Sequence, residues 1–88
     1  MTYEVLLSST AARQLRKLPK RERDRVVKVL RRLEEDPLTP RPGTDIGALD
    51  GTDPKKYRLR VGPYRVIYAV MSTDVRVIEI FRRGRGYR

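Results

Sequence analysis

The chain has 88 residues and a net charge of +10, from 21 basic and 11 acidic residues. This length predicts one small domain, residues 1–88, with a single modest core. The chain contains neither cysteine nor histidine, which removes the usual zinc ligands and the usual general base. We therefore expect no metal site, no cofactor, and no nucleophile activated by histidine.

The N-terminal segment does not resemble a signal peptide, because Glu4 stands where basic residues belong and the apolar run after it is short. No apolar run approaches the roughly 18–20 residues that a membrane-spanning helix needs. We expect a cytoplasmic protein with no membrane partner.

The first half of the chain predicts a strand followed by two helices. Tyr3 to Leu7 alternates as a strand does, and any of the next three hydroxyl residues can cap a helix. Apolar residues at helical spacing predict a first helix that ends near Pro19 and a second that runs to Asp36. In the second helix, Asp24 is placed to pair with Lys28. The short link between the helices predicts a helical hairpin.

The second half predicts a loop and then three strands. Prolines and glycines from Pro37 to Pro54 predict a loop without regular structure. Strands are predicted at 56–61, 64–71 and 75–81, joined by turns at Gly62-Pro63 and at 72–74. In the last strand, simple alternation places Val75, Val77, Glu79 and Phe81 on one face and Arg76, Ile78 and Ile80 on the other.

Together these elements predict an α+β fold of order β-α-α-β-β-β. The last three strands form an antiparallel meander, because short turns join them. The N-terminal strand is expected at an edge of the same sheet, and the helical hairpin is expected to cover one side of it.

The strongest functional signal is an arginine row in the predicted hairpin. Residues 57–88 carry eight arginines against two acidic residues. Arg58 and Arg60 project from one face of their strand with Lys56, and no acidic residue alternates with them. Arg65 follows the turn and approaches Arg60. A bound polyanion explains this row, although a solvated cationic strand face is the alternative.

A second basic cluster closes the chain. Its arginines are Arg82, Arg83, Arg85 and Arg88, and together with Lys56 they are predicted to bind a polyanion such as RNA. Tyr87 lies among them, where base stacking is an alternative to local packing. Because an arginine pKa above about 12 makes a weak general base, these residues alone predict an RNA-binding face with weak cleavage.

The hairpin and tail motifs resemble the RelE branch of the RelE/ParE toxin superfamily, the small toxins of prokaryotic type II toxin–antitoxin systems. The resemblance covers Leu49-Asp50-Gly51, the segment 57–68 and the tail from Arg83 to Tyr87. It implies a ribosome-dependent mRNA endonuclease that cuts in the A site by 2′-hydroxyl attack and so inhibits translation. It also implies a cognate antitoxin, bound in a heterodimer or a heterotetramer.

The same resemblance implies a role for each residue that matches the family pattern. Arg58 and Arg60 would contact the RNA and support activation of the nucleophile, and Arg65 would stabilise the scissile phosphate. Arg83 would protonate the leaving oxygen, and Tyr87 would stack on a base. Relatives often carry lysine at the first two positions. Two alternatives remain, a ParE-like toxin that inhibits gyrase and a relative that binds only RNA or antitoxin.

Overall fold

The computed structural model describes residues 2–52 and 55–83. Five strands form one sheet in the order β1-β5-β4-β3-β2. The strands and helices, in chain order, are β1 (Glu4–Leu7), α1 (Ser9–Arg16), α2 (Lys20–Arg32), β2 (Asp45–Leu49), β3 (Lys56–Val61), β4 (Tyr64–Val70) and β5 (Asp74–Arg82). Strands β3, β4 and β5 pair antiparallel, and β1 lies parallel to β5 at the sheet edge. The predicted α+β fold, with its meander and its N-terminal edge strand, is confirmed.

The first helix is tied to the sheet through its capping residue. The Ser8 hydroxyl accepts a hydrogen bond of 3.0 Å from the Ala11 N–H, which satisfies a free donor at the helix start. The same hydroxyl donates to the Ile78 carbonyl at 2.7 Å. Ser8 therefore fixes where α1 begins relative to β5.

The second helix differs from its prediction at two points. It ends at Arg32, before Asp36, and the Asp36 carboxylate instead accepts hydrogen bonds from the backbone N–H groups of Leu38 and Thr39. The predicted pairing of Asp24 with Lys28 is wrong, because Asp24 pairs with Lys20 at 2.9 Å. Both lysines lie one helical turn from Asp24, so spacing alone does not choose between them.

The core lies between the two helices and one face of the sheet. Tyr68 is fully buried there, and its hydroxyl donates a 2.7 Å hydrogen bond to the Pro37 carbonyl. The Tyr68 ring stacks on Tyr57 with 5.6 Å between centroids. The other members of the core include Ala11, Val26, Leu30, Leu33, Leu59, Val66, Val75, Val77 and Ile80. In the described part of the chain, neither helix is long and apolar enough to cross a membrane.

The segment predicted as a loop without regular structure contains a strand, β2, and that prediction is wrong. Asp45–Leu49 pairs antiparallel with β3 along its whole length. Ile46 is only 6% exposed and completes the core opposite Leu59. Glycines with positive φ, Gly43 at 80° and Gly51 at 73°, lie on either side of the strand. They form the turns that flank β2 and do not interrupt it.

The predicted alternation of the last strand is wrong beyond Ile78. Ile67 of β4 pairs with Glu79, whereas Tyr68 pairs with Val77, so Ile78 is an extra residue in β5. Such a bulge changes which side of the sheet the following residues face. As a result Ile80 is buried in the core with the valines of β5, and Glu79 faces away from the helices.

Candidate nucleic-acid interface

Three arginines lie on the sheet face that the helices leave open. Arg58 and Arg60 come from β3, and Arg65 comes from β4, where it pairs directly with Arg60. The alternate residues of β3, Leu59 and Val61, are buried on the helix side as the sequence predicts. Arg58, Arg60 and Arg65 are called the arginine cluster below, and all three are half-buried.

The arginine cluster has unused hydrogen-bond donors. The Nε atoms of Arg58, Arg60 and Arg65 are buried, and none has a hydrogen-bond partner within residues 2–52 and 55–83. Asp45 stands opposite Arg60 in the register, yet the described residues form no ion pair there. Leaving a buried donor unpaired costs roughly 1–3 kcal/mol. A ligand with several acceptor oxygens satisfies such donors when the arginine side chains turn to reach it.

Arg83 joins the arginine cluster electrostatically. Desolvation lowers the pKa of Arg65 below its ordinary value, and the positive charges of Arg60, Arg58 and Arg83 lower that pKa further. The Arg83 backbone N–H donates a 2.6 Å hydrogen bond to the Pro63 carbonyl. The backbone of Arg83 is therefore held against the hairpin turn, which keeps Arg83 near Arg65.

An apolar residue lies beneath the arginines on the open face. Ile67 is only 3% exposed although it faces away from the helices. In the register it lies between Arg58 on β3 and Glu79 on β5. Other side chains of the open face therefore cover Ile67, since the helices lie on the opposite side of the sheet.

The remaining predicted site residues lie apart from this cluster or outside the described residues. Lys56 shares the open face but lies at the far end of β3, opposite Ala69. Arg82 lies on the helix side, with its guanidinium carbon 6.0 Å from the centre of the Tyr64 ring. The predicted roles of Arg85, Tyr87 and Arg88 fall outside the described residues.

Sequence patterns did not identify two features of the site. Gly47 of β2 lies directly opposite Arg58, and it was missed because its strand was predicted as a loop. The apolar neighbours of Gly47 in sequence, Ile46 and Ala48, were the available signal. The second feature is Arg25 of α2, whose guanidinium packs against the hairpin turn at Gly62.

The chemistry of the site follows from these groups. It offers concentrated positive charge and N–H donors, which bind phosphate and stabilise the charge that builds up when a phosphodiester is attacked. In the described residues, no group of three or more His, Cys, Asp or Glu side chains is arranged to hold a metal ion.

Comparison with known proteins gives the family. The sequence model of the family described as the ParE toxin of type II toxin–antitoxin systems matches residues 5–87 of this chain. A sequence search of curated proteins finds no match.

Solved structures of toxin–antitoxin complexes share the fold. The chain is 35% identical to a chain of the archaeal RelE–RelB complex from Pyrococcus horikoshii, with a TM-score of 0.82, covering 98% of this chain and 100% of that one. For the RelBE2 complex from Mycobacterium tuberculosis the identity is 28% and the TM-score 0.78, covering 94% and 93%. A RelB–RelE complex from Methanococcus jannaschii, at 22% identity, TM-score 0.73 and coverage of 89% and 90%, shares the fold. The chain therefore belongs to the RelE/ParE superfamily of toxins of type II toxin–antitoxin systems.

Proposed function

We propose that this toxin is an endoribonuclease that cuts messenger RNA on the ribosome, in the cytoplasm, and so stops translation. The observation that carries the proposal is the arginine cluster, with three buried Nε donors that lack partners in the described residues. Arg83 stands close enough to lower the pKa of Arg65. Like charges held together in this way favour a bound phosphate backbone.

In the proposed reaction the RNA itself supplies the nucleophile. The ribose 2′-oxygen attacks the adjacent phosphorus, the bond to the 5′-oxygen breaks, and a 2′,3′-cyclic phosphate forms. Arg65 and Arg60 neutralise the non-bridging oxygens as their charge increases. Arg83 donates to the leaving 5′-oxygen, and Arg58 holds the strand in line. The 2′-hydroxyl proton passes to solvent, because arginine is a weak base.

Cleavage of messenger RNA on translating ribosomes, mapped by primer extension, tests this proposal. Wild-type protein is expected to make cuts at fixed codon positions, and Arg65→Ala or Arg83→Ala is expected to reduce them about 100-fold. The matched control is Arg76→Ala, which removes the same charge from the same sheet face. Arg76 lies away from the arginine cluster and pairs with Asp74 at 3.0 Å.

Two results contradict the proposal. One is a folded wild-type protein that leaves ribosome-bound messages intact. The other is an equal loss of cleavage in Arg65→Ala and Arg76→Ala. That result would mean that cleavage depends on positive charge anywhere on the sheet face and not on the arginine cluster.

The proposal includes a cognate antitoxin, bound in a heterodimer or a heterotetramer. A groove of about 520 Å³ lies between α1 and the β4–β5 pair. Its floor is largely apolar and includes Leu18 and Tyr64, and Lys17 and Arg82 line it as well. A segment of the antitoxin with apolar and acidic side chains suits this groove. Leu18→Glu is expected to weaken co-purification of the pair, and unchanged co-purification would place the antitoxin elsewhere.

Inhibition of DNA gyrase is the second candidate function, because the family model that matches the chain is that of ParE toxins. This function predicts defects in supercoiling and broken DNA while messages stay intact. It also predicts that loss of Tyr87 has no effect. A supercoiling assay with purified gyrase, run beside the ribosome assay, separates the two candidates.

A further inference from the structure

We infer that Gly47 is a positioning residue for Arg58, since the missing side chain at position 47 leaves a slot on β2 over which the Arg58 guanidinium lies. The inference rests on the proposed function of the arginine cluster, and it adds to the site a residue that carries no charge and no reactive group.

The distances around Gly47 define the slot. A Cβ atom built on Gly47 would lie 2.5 Å from Nη2 of Arg58, 2.9 Å from Cζ and 3.3 Å from Nη1. Separations below 3.0 Å essentially never occur for real Cβ atoms. Any side chain at position 47 therefore displaces the guanidinium of Arg58.

Backbone conformation does not require a glycine at this position. The glycines with positive φ in the described chain are Gly43, Gly51 and Gly62, and Gly47 is not among them. It lies inside β2, where a glycine weakens a strand and often marks a close approach by another group. Here the approaching group is Arg58.

The slot determines where the positive charge of Arg58 lies. Gly47 and Ile67 flank Arg58 on opposite sides in the register. A guanidinium over Gly47 is directed toward β2 and away from Arg65 on β4. This separation leaves space between the two cations, and we place one phosphate of the RNA strand there. An alanine at position 47 pushes Arg58 out of this arrangement.

The substitution Gly47→Ala is expected to leave the fold intact. The clashing atoms are the far end of a long, flexible side chain, so they can move at little cost. An effect on RNA binding is therefore separable from an effect on stability. Thermal unfolding of each variant checks this point.

A double-mutant cycle tests the inference. Dissociation constants are measured for wild type, Gly47→Ala, Arg58→Ala and the double variant. The probe is a short single-stranded RNA with 2′-O-methyl sugars, whose blocked 2′-oxygens cannot attack the phosphate. Gly47→Ala is expected to weaken binding about 5-fold in the wild type and less than about 2-fold when Arg58 is absent, because coupled residues are not additive. The control is Ala48→Ser, which adds one atom on the opposite face of β2.

Two outcomes of the cycle overturn the inference: no change in binding on Gly47→Ala, or the same loss in both backgrounds. Proton NMR of the wild type gives an independent test that needs no variant to fold. A nuclear Overhauser effect is expected between the Gly47 Hα protons and the Arg58 guanidinium, and its absence overturns the inference. Intact coupling without ribosomal cleavage contradicts the nuclease function and still supports the role of Gly47.

Discussion

The two faces of strands β3 and β4 have opposite physical character, although their residues alternate along the same backbone. On the helix face, Leu59, Val66 and Tyr68 are fully buried, and the Tyr68 hydroxyl has its hydrogen bond to Pro37. One position along, Arg58 and Arg65 have buried Nε donors without partners in the described chain. We infer that one face stabilises the fold and the other is kept for a ligand.

Substitution on the helix face is expected to have the largest effect on stability. Leu59→Ala removes a fully buried side chain and leaves a cavity between the sheet and the helices. The free energy of unfolding is expected to fall by about 2–5 kcal/mol, measured by urea denaturation. The RNA affinity of the folded fraction is expected to stay within about 2-fold of wild type, since no charge changes. A much larger loss of affinity would show that the two faces are coupled.

Substitution on the open face is expected to lower RNA affinity and to leave stability nearly unchanged. Arg65→Ala removes a cation whose pKa is lowered by desolvation and by its charged neighbours. The melting temperature is therefore expected to stay the same or rise, because a repulsive interaction is lost. RNA affinity is expected to fall about 10-fold. A clear drop in melting temperature would mean that Arg65 stabilises the fold, which contradicts the division between the faces.

Tyr68→Phe tests the buried hydrogen bond of the Tyr68 hydroxyl on the helix face. Removing it leaves the Pro37 carbonyl without this donor and is expected to cost about 1 kcal/mol of unfolding free energy.

Burial also raises the pKa of Tyr68 above its ordinary value of 10.0. The fold thus favours the neutral phenol, and this stabilisation is complete below about pH 10 and is lost as the pH rises further. Tyr68→Phe is expected to lose part of this alkaline destabilisation, and equal pH dependence in both proteins would contradict the burial of the phenol.

The salt dependence of the melting temperature is expected to show the smallest difference between the two faces. Added sodium chloride screens repulsion among the arginines of the open face, so the wild-type melting temperature is expected to rise by a few degrees between about 0.02 and 0.2 M salt. Arg60→Ala is expected to show a smaller rise, because one of the repelling charges is gone. An equal rise in both proteins would place the repulsion elsewhere on this basic chain.

Sequence patterns predicted the elements whose periodicity is unbroken. Apolar residues at helical spacing predicted the two helices, and alternation of side chains along β3 predicted the arginine row. Strand β2 was missed because Gly47 removes one side chain from a five-residue strand, so little alternation is left to detect. The bulge at Ile78 was missed because it depends on pairing with β4 and has no local sign. The distance between Arg58 and Gly47 requires both strands in register, and so only the structure gives it.

The parallel pairing of β1 with β5 also determines the order in which the molecule is completed. Ser8 bonds to Ile78, 70 residues further along the chain, so the first strand has no sheet neighbour until the last strand has been synthesised. Local contacts such as the α1–α2 hairpin and the β3–β4 hairpin form quickly, whereas closing this long loop is slow. We expect folding to end with the docking of β1, and the hydrogen bond from Arg83 to Pro63 to appear when β5 joins β4. A newly made toxin would therefore acquire its full set of clustered cations only in the late steps of folding.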